Sequence, residues 1–327
     1  MSAVTCWAAP AVPLAHGGAV AAQAWTNLGL VTTLALVGAG YARGVHELWS
    51  RRGVGAVVGR WRVGCFALGV GAVLAASTGP VHGLAARSFA GHMAQHMLLL
   101  VVAGPALAAA AVGLPLALAA PRRLRRYWAR WRASTAGARM RRPGPVALLA
   151  GTLHGAVLWV WHLPTPYRLA AENTLLHLVE HVSFVVAAAL LWSVVLGAGR
   201  HRLDGPAAVL LLVGTMLVAS ALGAALTLAP GPVYPVATLT PEGGDPLTAQ
   251  QLAGLLMWIP MDVIVLAVAA VVFLRWFSGL DRRSPRGPAP FPDGGVGGSG
   301  DPGTGAIGRP ELTEGPPVGP AAGRGTR

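Results

Sequence analysis

Charge is missing from long stretches of this chain. No Asp, Glu, Lys or Arg occurs over residues 1–42, 88–121, 143–167 or 205–241. An uncharged apolar run of about 18 residues or more is a candidate membrane helix, because roughly 20 residues at 1.5 Å each cross a hydrocarbon core. Seven segments of this kind can be marked, at residues 25–42, 63–81, 91–112, 145–162, 175–196, 206–228 and 250–277. They are too long for membrane strands and lack alternation with a period of two. The expected fold class is an all-α membrane protein, a seven transmembrane helix bundle. Only 11% of residues are charged, against about 25% in soluble domains. That argues against a soluble enzyme, a secreted disulfide scaffold and a nucleic-acid binder.

The net charge of +13 would suggest a nucleic-acid partner in a soluble protein. Here the basic residues, all arginine, sit in short loops between apolar runs, where they set orientation. Sixteen follow the first, third and fifth segments, with nine of them over residues 122–142. The other side has only Arg87 and Arg168. The positive-inside rule then expects the N-terminus outside and the C-terminus in the cytoplasm. Residues 1–24 lack a basic start and carry Pro10, Pro13, Gly17 and Gly18, so they read as an extracytoplasmic arm. The transmembrane domain is expected over 25–277. Residues 278–327 are rich in Gly and Pro and read as a disordered cytoplasmic tail. Kinks are expected at Gly104-Pro105 and at Pro260. Cys6 and Cys65 are far apart and form no disulfide framework or zinc ribbon.

The histidines are the informative feature. In this topology His82 follows the second helix, His92 and His96 open the third, His162 closes the fourth, and His177 and His181 open the fifth. Six imidazoles on four helices fall in one layer near the outer face. His154 lies about 12 Å deeper, eight residues before His162. His92–His96 and His177–His181 are i, i+4 pairs, so each presents two rings on one helix face. Two such pairs at one depth can build a four-nitrogen metal site. Those four are the first-choice ligands, followed by His162, then His82 and His154. Met93 and Met97 run beside the first pair, and thioethers favour Cu(I). Glu180 is placed to orient a histidine from behind. Asp262, within the seventh segment, is a second candidate supporting carboxylate. Ionisable groups inside a membrane are costly and usually functional.

Three functions fit: copper handling, a haem protein with axial histidines from two helices, and an intramembrane zinc hydrolase. The hydrolase reading rests on His177-Leu-Val-Glu180-His181, a literal H-x-x-E-H. Spacing alone does not separate copper from haem.

The segments His92-Met-Ala-Gln-His96-Met-Leu-Leu, Trp161-His162-Leu-Pro, Leu176-His177 with Glu180-His181-Val-Ser-Phe, and Gln250-Gln251-Leu-Ala-Gly-Leu-Leu-Met-Trp-Ile-Pro together resemble the CtaG family. These are multi-pass cytochrome c oxidase assembly factors associated with caa-type oxidases. The resemblance covers about residues 25–277. It implies a bacterial plasma-membrane protein without turnover of its own, needed to make active haem–copper oxidase. It also implies copper delivery, with oxidase subunits and membrane lipid as partners. The sequence departs from the family pattern at Met261-Asp262, where small residues are expected after Trp-Ile-Pro.

Overall fold

The structure is a computed structural model that describes residues 15–139, 142–197 and 202–281. Every element among the described residues is helical. Among the described residues six helices are long and apolar enough to cross a membrane, or seven if one bent pair is counted as a single span. The first span, Ala15–Arg52, is longer than expected at both ends. Charge marks the end of a hydrocarbon-spanning run but does not end a helix, and Glu47 pairs with Arg51 at 2.9 Å in the last turns. Residues 15–24 of the expected arm are helical, and residues 1–14 lie outside the described part. The expected tail likewise begins inside a helix, since the seventh span is Pro246–Asp281. Residues 282–327 lie outside the described part.

The second span is not one straight helix. Arg60–Ser77 and Gly79–Arg87 meet at a 40° bend. Thr78 is extended, and Gly79 sits at φ +69°, in the left-handed region that glycine enters without strain. Pro80 follows and keeps Gly79 out of the right-handed helical region. The third span, Phe89–Ala109, shows how the expected proline kink is resolved. Its backbone widens into π-helix over Leu98–Ala103 just before Gly104-Pro105. Proline cannot donate to the preceding turn, and the π turns absorb the missing bond. The seventh span runs without a break through Pro260. The fourth, fifth and sixth spans are Pro143–His162, Thr174–Leu196 and Gly205–Thr227, close to the expected limits.

The spans pack through small residues, as helices in lipid do. A methyl group added to Gly223 of the sixth span would lie 2.7 Å from Trp258 Cβ of the seventh, and one on Gly104 would overlap Ala188 of the fifth. Trp159 Nε1 donates to Val218 O at 3.0 Å and Trp161 Nε1 to Ser183 Oγ at 2.8 Å. These indoles tie the fourth span to the sixth and fifth. Outward-facing side chains such as Leu148, Leu210, Leu217 and Val263 are exposed, an arrangement that suits lipid and not water. After the third span comes Arg122–Ala133, a helix with no buried residue. Leu124, Tyr127, Trp128 and Trp131 recur along it at helical spacing between six arginines, the pattern of a helix lying in a membrane interface.

Candidate metal centre

Two helix caps set the register of the paired histidines. Ser88 precedes the third span with its Oγ accepting the Gly91 N–H at 3.0 Å. Asn173 precedes the fifth span with Oδ1 accepting from Leu175 and Leu176 at 3.0 and 3.1 Å. Each cap lies four residues before the first histidine of its pair, and each cap carbonyl takes that histidine's backbone N–H: His92 to Ser88 at 3.0 Å, His177 to Asn173 at 2.9 Å. The two helices thus bring their pairs together from matched starts.

The rings meet as the spacing predicts. His92 and His96 have centroids 4.4 Å apart, and His177 and His181 4.2 Å. Between helices, His92 lies 5.3 Å from His177 and His96 5.6 Å from His181. His162 of the fourth span lies 5.8 Å from His96, and His82 6.3 Å from His177. Donor atoms of His92, His96, His177 and Glu180 all fall within 4.8 Å of one another. Glu180 is thus one of four residues that could hold an ion together, with Oε1 3.5 Å from His96 Nε2. Both residues are 0% exposed. His181, His162 and His82 adjoin this group through ring contacts.

The polar atoms here are buried and unpaired. Neither nitrogen of His96, neither oxygen of Glu180, nor Nε2 of His92, His162, His177 or His181 has a hydrogen-bond partner. A buried polar atom left unsatisfied costs about 1–3 kcal/mol, so a cluster of this size points to a ligand. His162 shows how a donor is prepared. Its Nδ1 lies 2.7 Å from Leu158 O. A carbonyl only accepts, so Nδ1 carries the hydrogen and Nε2 keeps its lone pair free. The backbone of His162 is held in turn by the Tyr234 hydroxyl, which donates to its carbonyl at 2.7 Å.

Residues that the sequence reading passed over complete the enclosure. Phe89, Tyr167 and Tyr234 pack ring to ring, and Tyr167 lies against His92 at 5.5 Å. Burial pushes both tyrosine hydroxyls up, with the nearby Glu180 carboxylate adding to it, so they stay neutral. Gln250 opens the last quoted motif and is fully buried. Its Oε1 accepts from Val233 N at 2.7 Å and its Nε2 donates to Leu226 O at 3.2 Å, which fixes the loop carrying Tyr234. Gln95 donates to Ala76 O and approaches His82 Nδ1 at 3.4 Å. A cleft of about 430 Å³ reaches this cluster, with His82, His92, Gln95, Tyr167 and His177 in its wall.

Four further candidate residues are not among these four donors. His154 is buried with both ring nitrogens unpaired, but it lies two helical turns along the fourth span and outside the four-donor group. Met93 and Met97 are buried in the apolar core with Phe89, Leu100 and Phe184. A helix that aims His92 and His96 one way turns the next positions about 100° aside. Asp262 accepts the Ser220 hydroxyl at 2.8 Å, at the contact of the sixth and seventh spans.

A family model described as cytochrome c oxidase caa3 assembly factor matches residues 39–278. No curated protein and no solved structure matches the chain.

Proposed function

Because the chain belongs to the cytochrome c oxidase caa3 assembly factor family, we propose that it assembles the oxidase by binding copper, as Cu(I), and passing it to an oxidase subunit. The observation that carries this reading is the set of buried, unpaired imidazole and carboxylate atoms at one end of the bundle. Neutral imidazoles are good copper ligands. His92, His96, His177 and Glu180 would hold the ion, with His181 and His162 adjoining and His82 in the cleft. Met93 and Met97 would serve as soft donors only after a rotation of the helix, and His154 as a deeper stop. Asp262 would act through the packing of the last two spans. The arginine bias supports a cluster near the outer face of the bacterial plasma membrane, with the N-terminus outside. The role is handover and not turnover.

The test is His96→Ala and His181→Ala. Each should abolish oxidase assembly while the protein still accumulates in the membrane. Added copper should partly rescue both strains, since mass action offsets weakened affinity. Reduced protein level with normal oxidase yield per molecule would mean that the histidines only pack. Metal analysis with an absorption spectrum separates the alternatives: a strong Soret band would replace copper by haem.

A further inference from the structure

The cluster holds more donors than one ion can use. Four atoms, one each from His92, His96, His177 and Glu180, lie within 4.8 Å of one another. They suffice for one four-coordinate ion. Left over are Nε2 of His162, Nε2 of His181, the second nitrogen of His96 and the second oxygen of Glu180, all buried and all without a hydrogen-bond partner. His162 is 3% and His181 4% exposed, and the Leu158 carbonyl already holds His162 in the tautomer that leaves Nε2 open. A single ion bound to the first four donors leaves these four atoms uncompensated in an apolar surround.

The two halves of the cluster also differ in access. His92 and His177 form part of the cleft wall together with His82. His162 lines neither that cleft nor the smaller one that His181 borders with His82 and His177, and Phe184 packs against His162 and His96 from within. His96 is the hub, in ring contact with His92, His162 and His181. Glu180 sits beside it with two open oxygens, as a carboxylate that bridges two cations would.

We propose that the cluster holds two copper ions at once: a cleft-side ion at His92, His177 and His96, and a buried ion at His162 and His181, with Glu180 between them. This rests on the copper-binding reading above and adds a stoichiometry and an order. An ion arriving through the cleft meets the cleft-side position first and moves inward by exchanging ligands across His96 and Glu180. Two adjacent positions let an incoming ion displace the one ahead, so that tight binding need not prevent release.

The experiment uses full-length protein purified in detergent, saturated with Cu(I) under reducing conditions and freed of loosely held metal. Copper per chain is then measured by elemental analysis against protein concentration. The wild type should carry two ions. His162→Gln with His181→Gln should carry one, and so should His92→Gln with His177→Gln, with circular dichroism showing that the helices persist. One ion in the wild type would overturn the two-ion proposal and leave copper binding standing, with water filling the remaining positions. No retained copper would overturn both. The wild-type measurement decides the matter even where a double variant fails to fold.

Discussion

Among the described residues Glu180 is the one carboxylate in the cluster, and replacing it with glutamine separates function from packing. The variant keeps the shape of the side chain and removes its charge. An ion held among the four donors lies within 4.8 Å of the Glu180 oxygen. At an effective dielectric constant of about 20, a unit charge pair at that distance is worth about 3.5 kcal/mol, or roughly 300-fold in affinity. Glu180→Gln should therefore weaken Cu(I) binding by two to three orders of magnitude in a competition titration with a chromophoric chelator. The metal-free protein should respond in the opposite sense. In the wild type both carboxyl oxygens are buried without a hydrogen bond, so in the metal-free protein the amide gives up no partner and carries no charge to desolvate. The thermal midpoint of the metal-free variant should equal or exceed that of the wild type. A carboxylate kept only for structure gives the reverse pattern. A variant that loses stability and binds copper within threefold of the wild type would refute the reasoning.

Three further outcomes are expected. Reporter fusions within residues 122–142 and within Pro164–Glu172 should report opposite sides of the membrane, the first cytoplasmic; an outside signal from the arginine-rich loop would invert the topology. Ser88→Ala and Asn173→Ala should each cost about 1 kcal/mol, read as a thermal midpoint lower by a few degrees, and should weaken copper binding through the shifted register of the first turn; an unchanged midpoint for both would show that the caps do not set the helix starts. Removing the residues after Arg286 should leave membrane insertion and oxidase assembly intact, because that segment has only Phe291, Ile307 and Leu312 as large apolar side chains, too few to build a core; loss of inserted protein on immunoblot would contradict it.

Much of the architecture was legible because lipid imposes a crude rule. A run of uncharged apolar residues long enough to cross must be helical, and the fourth, fifth and sixth spans fall within two residues of the limits read from composition. The rule fails where helix and membrane diverge. The first span continues beyond Ala42 because arginines and a glutamate are good helix formers outside the hydrocarbon, and the second span breaks at Thr78-Gly79-Pro80, inside a run that hydropathy alone reads as continuous.

The site divides in the same way. An i, i+4 spacing is a property of one helix, so the pairs His92–His96 and His177–His181 were fixed by the sequence alone, and parallel helix direction set them at the same depth. What lies between helices was not. Only the packed bundle shows that Glu180 turns in beside His96, and that Tyr234 is held over the cluster by Gln250 from a span more than eighty residues downstream of His162. The same packing put Met93 and Met97 into the apolar core, although their spacing mirrors that of the histidines. Periodicity ranks the faces of a helix by polarity. It carries no information about the angle at which two helices meet, and that angle decides which side chains share a volume small enough to bind an ion.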